Sequence, residues 1–226
     1  MGILRNYNEF IDRVNELGFM ALSNIVDGFP SLASETSKFQ WHTGDPETDP
    51  WQWKDRAADE KKLAFGCILG GNKGFVASQM YPYFYRCFKP QVSMEQRWQE
   101  GQASPEVWKL WQLFNTKTLL DTAEIRHELG VTAKTGGSRL DRAIIELQRD
   151  FFITVAGNRR KLNKLGQPYG WPANTYDRVE NWAPAEWIGN CDEIDIDDAR
   201  QTIINTGLST GKGLTEKQLL KLLAIR

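Results

Sequence analysis

The middle of the chain carries apolar residues at spacings that predict two short helices in succession. The first begins at Ser104 and Pro105, because serine is a favoured helix cap and proline is tolerated in a first turn. Its apolar positions recur at roughly helical intervals: Val107, Trp108, Trp111, Leu113 and Phe114. The second helix covers residues 123–129, after a cap at Asp121 or Thr122.

A third helix and a hairpin follow directly. Ser138 is the expected cap of this helix, whose apolar positions step by four, three and four residues: Leu140, Ile144, Leu147 and Phe151. Residues 152–155 have strand composition, and 156–158, Ala-Gly-Asn, predict a turn. The basic segment 159–164 comes next, and the chain returns through Tyr169, Trp171 and Tyr176. Three helices followed by a hairpin are the order of a winged helix-turn-helix, whose third helix and wing usually contact DNA.

The flanking regions predict shorter elements. Toward the N-terminus we expect helices over 7–17, 51–69, 79–88 (capped by Ser78) and around 95–100. We also expect a strand or a packed extended arm over 19–22, a strand over 75–77 and an irregular stretch over 23–50. Toward the C-terminus we expect a helix from Asp197 or Asp198 to Asn205, a loop over 207–213 and a last helix over 216–224 capped by Thr215. The predicted fold is mostly helical α+β with short hairpins, and the winged helix is embedded in one compact unit. Its regions are 1–103, 104–178 and 179–226.

The positive charge that predicts a binding surface is concentrated in one segment of the chain. The 226 residues have a net charge of -1, so nucleic-acid binding requires a local patch rather than a basic coat. Residues 131–170 contain eight Lys and Arg against three Asp and Glu. The candidate DNA-binding residues are Lys134, Arg139, Arg142, Arg149, Arg159, Arg160, Lys161 and Lys164.

Composition favours a soluble globular protein. Apolar residues make up 41% and charged residues 25% of the chain, and no apolar run approaches the ~20 residues that span a bilayer. The N-terminus lacks the apolar region of a signal peptide, and three widely spaced cysteines favour reduced thiols over a disulfide framework or a zinc site. We therefore expect a cytoplasmic protein with no membrane contact, no metal and no cofactor.

The loop over residues 41–55 holds the densest group of chemically capable side chains. The catalytic candidates His42, Asp45, Glu47 and Asp49 lie there beside Trp41, Trp51 and Trp53. Carboxylates against apolar walls serve as acids or bases. The residues also permit a metal site, but one His with scattered carboxylates is weak ligand spacing. Asp-Pro turns and a helix cap at Asp49 favour a structural loop over both, with Trp51 and Trp53 in the core and Trp41 more exposed.

Three stretches of the chain carry a family resemblance. Residues 137–155 with the wing up to Tyr176, residues 48–58 and residues 74–76 resemble winged-helix proteins related to the bacterial DNA glycosylase AlkZ, most of all the small AlkZ-related proteins. The resemblance implies DNA binding. It also implies cleavage of N-glycosidic bonds to alkylated or crosslinked bases, by a motif of Gln, one residue, then Gln or Asp. Gln40-Trp41-His42 departs from that motif, and Gln148 lies inside the predicted third helix.

Three functional hypotheses remain open. In the first, the chain binds double-stranded DNA through the third helix and wing without chemistry of its own. In the second, it is a glycosylase-type hydrolase in which a flipped base enters a Trp-lined pocket and Asp45, Glu47 or Asp49 activates water. In the third, the winged helix serves protein–protein contact, and the acidic segment 180–198 lies across the basic helix and wing. The sequence specifies neither the DNA sequence or lesion nor the oligomeric state.

Overall fold

Two three-stranded antiparallel sheets with helices around them organise the chain. A computed structural model describes residues 3–132, 136–163 and 165–225. The fold is α+β, as predicted. Among the described residues, no helix combines the length and the apolar character needed to cross a membrane.

The first sheet has the strand order β1-β3-β2. Its strands are β1 (Phe19–Ala21), β2 (Leu63–Leu69) and β3 (Asn72–Ala77), with Phe65 opposite Phe75. Helix α1 (Tyr7–Leu17) precedes β1; Asn6 caps its start, and Gly18 ends it at a φ of 81°. Positive φ favours glycine because any other side chain is strained there. Four further helices occur in this part of the chain: α2 (Leu32–Glu35), α3 (Pro50–Asp59), α4 (Tyr81–Phe88) and α5 (Met94–Gln99).

The second sheet belongs to a continuous module of helix, strand, helix, helix, strand, strand. Its elements are α6 (Pro105–Thr116), β4 (Leu120–Asp121), α7 (Thr122–Glu128), α8 (Gly137–Arg149), β5 (Ile153–Leu162) and β6 (Pro168–Arg178). Strand order is β4-β6-β5, so the short first strand pairs with the last one, Leu120 opposite Tyr176. The C-terminal helices are α9 (Val179–Trp182), α10 (Ala185–Ile188), α11 (Ile196–Thr210) and α12 (Glu216–Leu223).

One apolar core joins the two sheets. It is a single cluster of buried side chains that extends from Leu4 to Leu223. Helix α3 packs on both β2 and β5, and α8 packs on β2. The Gln148 amide oxygen accepts a hydrogen bond from the backbone N–H of Cys67 at 3.1 Å. A Cβ on Gly66 would lie 2.8 Å from that oxygen, so this contact requires glycine.

Several sequence predictions of element boundaries are wrong. The helix expected over 51–69 ends at Asp59, and its second half is β2, whose seven residues are all buried. Continuous apolar runs have no period that separates a buried strand from a buried helix. The turn expected over 156–158 lies inside β5. The serine caps predicted at Ser78 and Ser138 are not used, since α4 starts after Met80 and α8 after Gly136. Helix α11 continues to Thr210 through part of the expected loop.

Candidate nucleic-acid interface

Helix α8 has a strongly two-sided surface. Leu140, Ala143 and Leu147 are buried and face the core, where α8 packs on α6. The side chains of Ser138, Arg142 and Ile145 are exposed along the opposite side, at steps of four and three residues. Residues three and four apart lie on one face of a helix. The outer face of α8 therefore carries a cation flanked by a hydroxyl and by a large apolar side chain, that of Ile145.

The β5–β6 hairpin projects away from the core. Its inner half is buried from Ile153 to Gly157, whereas Asn158, Arg159 and Arg160 are exposed. At its tip the side chain of Leu165 is 82% exposed. Alternation of buried and exposed positions is lost here because the outer hairpin has solvent on both faces.

Two of the four exposed arginines on α8 and β5 are paired with carboxylates from neighbouring elements. Arg159 on β5 donates to Glu124 on α7 at 2.9 Å, and Arg139 lies 3.6 Å from Glu106 on α6. Arg142 instead donates its Nε to the Ser138 carbonyl oxygen at 3.2 Å. Within the described residues, neither Arg142 nor Arg160 forms an ion pair.

The remaining predicted DNA-binding residues are distributed differently. Arg149 is ten residues beyond Arg139, at the far end of α8, and its Nε lies 2.8 Å from Asp150. Lys134 and Lys164 lie outside the described residues, as does the side chain of Lys161. Of the predicted DNA-binding residues, Arg139, Arg142, Arg159 and Arg160 are therefore the exposed ones on the described parts of α8 and β5.

Asp49 organises the 41–55 loop by hydrogen bonds. Its buried carboxylate accepts from the backbone N–H groups of His42 at 3.0 Å, Gly44 at 2.9 Å and Trp51 at 2.9 Å. The last of these caps α3, as the sequence predicted. The His42 backbone has a φ of 64°, and its exposed ring stands 5.0 Å from that of Trp51, centroid to centroid.

The carboxylates of the other two catalytic candidates, Asp45 and Glu47, are also engaged. Asp45 is exposed and accepts from the Glu47 backbone N–H and the Thr48 hydroxyl, and the former hydrogen bond lowers the pKa of the Asp45 carboxyl most. Glu47 is held by Arg56 at 2.6 Å. The carboxylates of Asp45, Glu47 and Asp49 thus all hold donors of the protein itself.

The three tryptophans of the loop differ in burial. Trp53 is fully buried, stacks on Phe10 with ring centroids 5.6 Å apart and donates its Nε1 to the Glu47 carbonyl oxygen. This confirms the core prediction for Trp53. The same prediction for Trp51 is wrong, because Trp51 and Trp41 are both half-buried. Trp41 packs on the core and donates to the Thr36 hydroxyl at 3.0 Å.

A buried ion pair joins this loop to the hairpin, and sequence reasoning missed it. The Lys54 ammonium lies 2.6 Å from Asp55, whose other oxygen accepts from the Asn158 amide at 2.9 Å. Burial lowers the pKa of Lys54, and the Asp55 carboxylate opposes this shift. The Trp51 ring faces the ammonium at 4.4 Å. The charged run around Lys54 reads as a solvated helix face, so only packing against β5 reveals the pair.

In the part of the chain that the structure describes, no carboxylate of the acidic segment 180–198 pairs with a predicted basic residue of α8 or of the hairpin. Glu180 pairs with Lys89, the residue after α4, at 2.7 Å and with Arg178 at the end of β6 at 3.6 Å. Asp192 approaches Arg86 on α4 at 3.8 Å. That element of the third hypothesis is wrong, since the chain folds the segment back on α4. Among the described residues, no group of three or more His, Cys, Asp or Glu is placed to hold a metal ion.

Comparison with known proteins matches one family along almost the whole chain. The model of the AlkZ-related family covers residues 4–224. No curated protein and no solved structure matches the chain. Because the family match includes both sheets, α8 and the hairpin, it applies to the entire fold described above. The chain therefore belongs to the AlkZ-related family.

Proposed function

We propose that residues 105–178 form a winged-helix module that binds double-stranded DNA through the outer face of α8 and the β5–β6 hairpin. The observation that carries the proposal is the module's order and pairing. A short strand after the first helix pairs with the last strand, so the sheet closes beside α8 and leaves the helix face and the hairpin exposed. In winged helix-turn-helix proteins these two elements contact DNA.

Charge on the proposed surface supports the same function. Arg139, Arg142, Arg159 and Arg160 are exposed on α8 and β5. Arginine binds phosphate through two parallel hydrogen bonds and reads guanine in the major groove. The family assignment is consistent with a role in DNA repair. Such a role requires DNA binding, and DNA binding is what these residues support.

Glycosylase chemistry is not part of the proposal. Asp45, Glu47 and Asp49, the carboxylates proposed to activate water, each hold donors of the protein itself. Incubating the protein with alkylated duplex DNA and measuring free base tests this alternative directly. Base release that Glu47→Gln abolishes would assign chemistry to the loop, whereas loss in Asp49→Asn alone would reflect the structural role of that carboxylate.

Salt-dependent binding to a duplex of mixed sequence tests the proposal. The triple variant Arg139→Ala/Arg142→Ala/Arg160→Ala removes three exposed cations. Each lost phosphate contact reduces the magnitude of the negative slope of log K against log salt by about 0.9. We therefore expect the slope to become less steep by about 2.7 if all three arginines contact phosphate.

A second triple variant controls for net charge. Arg5→Ala/Lys38→Ala/Lys217→Ala removes three exposed cations that lie outside the module. We expect it to keep the wild-type slope, because counterions are released only where phosphates are contacted. The proposal fails if the two triple variants bind duplex DNA equally well at every salt concentration.

A further inference from the structure

The proposed DNA surface is neutralised from within by carboxylates. Arg126 on α7 donates to Asp141 on α8 at 3.0 Å, and Arg159 on β5 donates to Glu124 on α7 at 2.9 Å. Both pairs join two different elements. Together they tie α7 to the helix and to the hairpin that would flank the DNA, so the carboxylates stand where phosphates would approach.

Both ion pairs are exposed enough to exchange partners. The side chains of Arg126, Asp141, Arg159 and Glu124 are each between 39% and 52% exposed. Exposed ion pairs contribute little to folding stability, because water and salt screen them. The two ion pairs therefore affect the binding of a polyanion more than they affect folding stability.

The guanidinium groups are not saturated by these partners. The Nε of Arg126 is buried and has no hydrogen-bond acceptor among the described residues. Arg159 adds only a 3.4 Å contact to the Leu119 carbonyl oxygen. Each arginine thus holds one carboxylate by one close hydrogen bond, where a phosphate would accept two.

We infer that Glu124 and Asp141 act as internal competitors of DNA phosphate and hold the surface in a self-paired state of low affinity. This inference rests on the proposed function. A phosphate that displaces either carboxylate must approach a like charge, so ordinary duplex DNA is bound weakly. Arg142 and Arg160, which form no ion pair among the described residues, make the first contacts with DNA. Arg126 and Arg159 leave their carboxylate partners only when the DNA phosphate backbone reaches both arginines.

The test compares Glu124→Gln/Asp141→Asn with the wild type in duplex binding across salt concentrations. Glutamine at 124 keeps an amide oxygen for the Asp121 backbone N–H, which Glu124 accepts at 2.8 Å, so the start of α7 is preserved. Two arginines freed for phosphate steepen the slope of log K against log salt by about 1.8. The affinity advantage of the variant over the wild type then grows about tenfold as salt falls from about 200 to about 50 mM.

The control is Glu9→Gln/Asp197→Asn, which raises the net charge equally. It breaks two exposed ion pairs outside the module, Glu9 with Arg5 at 2.8 Å and Asp197 with Arg200 at 3.0 Å. We expect the control to bind as the wild type does. An equal gain by the control overturns the inference, because net charge would then explain the effect.

The remaining outcomes separate the inference from the function on which it rests. Wild-type binding with an unchanged slope in Glu124→Gln/Asp141→Asn overturns the inference and leaves DNA binding intact. If only Glu124→Gln/Asp141→Asn binds duplex DNA, the inference is supported in its strongest form. No binding by the wild type or either variant overturns the proposed function and the inference together.

Discussion

Replacing Asp49 tests whether the 41–55 loop is structural. Asp49→Ala removes the cap of α3, which costs about 1 kcal/mol. It also removes the acceptor of the His42 and Gly44 N–H groups, and hydrogen bonds to a charged partner are worth about 1.5–3 kcal/mol each. Because both N–H groups lie in exposed residues that reach water when the loop relaxes, we take the lower value for each. The expected loss is about 4 kcal/mol in the free energy of unfolding.

Asp49→Asn separates geometry from charge. Oδ1 of Asp49 accepts from His42 and Trp51, and Oδ2 accepts from Gly44. An asparagine keeps the first two bonds but turns an NH₂ group toward the Gly44 N–H, so donor faces donor. We expect about half the loss seen with alanine. The exposed Asp45→Ala is the matched control and should cost less than about 1 kcal/mol, as surface substitutions do.

Urea unfolding followed by circular dichroism measures these differences, and thermal unfolding gives a second reading. At about 2–4 °C per kcal/mol for a chain of this size, Asp49→Ala should melt roughly 8–16 °C below the wild type. A melting temperature within about 2 °C of the wild type would refute the reasoning. Such a result would mean that the loop does not depend on this carboxylate and would reopen a chemical role for it.

Two further predictions concern burial and pH. Trp53→Ala should lower the free energy of unfolding by about 3–5 kcal/mol, because the Trp53 side chain is fully buried. Trp51→Ala should lower it clearly less, because Trp51 is half-buried. Equal losses in urea unfolding would contradict the structure. The hydrogen bond from the Trp111 indole to Glu95 lowers the pKa of that carboxyl below 4.5. A lowered carboxyl pKa adds stability above the unfolded value that is lost as pH falls through the folded value. The melting temperature of the wild type should therefore exceed that of Glu95→Gln at pH 6 and converge with it toward pH 3, and a constant difference would exclude this linkage.

Local signals predicted the capped helices well. Helix α1 begins and ends where the apolar stripe and Gly18 indicate, and the predicted caps at Ser104 and Thr215 are used. Of the two candidates for the cap of α7, Asp121 and Thr122, the structure uses Asp121. These features are readable because a cap and its acceptor lie within three residues of each other, and helical periodicity needs only a few turns. The order of helices and hairpin followed from the same local signals.

Strand identity was harder to predict where the local signal was ambiguous. β2 has no polar positions to mark its alternation, since both faces are buried. β5 continues through Gly157 and Asn158, which in isolation indicate a turn. There Gly157 allows the strand to approach Asp59 closely, because a Cβ would lie 2.9 Å from its carboxylate. Tertiary packing therefore overrode the turn propensity.

By itself the sequence determined the α+β composition, the capped helices, the arginine-rich third helix and hairpin, and the cap at Asp49. Only the tertiary structure decided the partners of the charged groups. Arg159 meets Glu124 across 35 positions and Asn158 meets Asp55 across 103, and the acidic segment folds back on α4 rather than on α8. The physical reason is range: caps and periodicity act within a few residues, whereas ion pairs and buried amides depend on which surfaces the shared apolar core brings together.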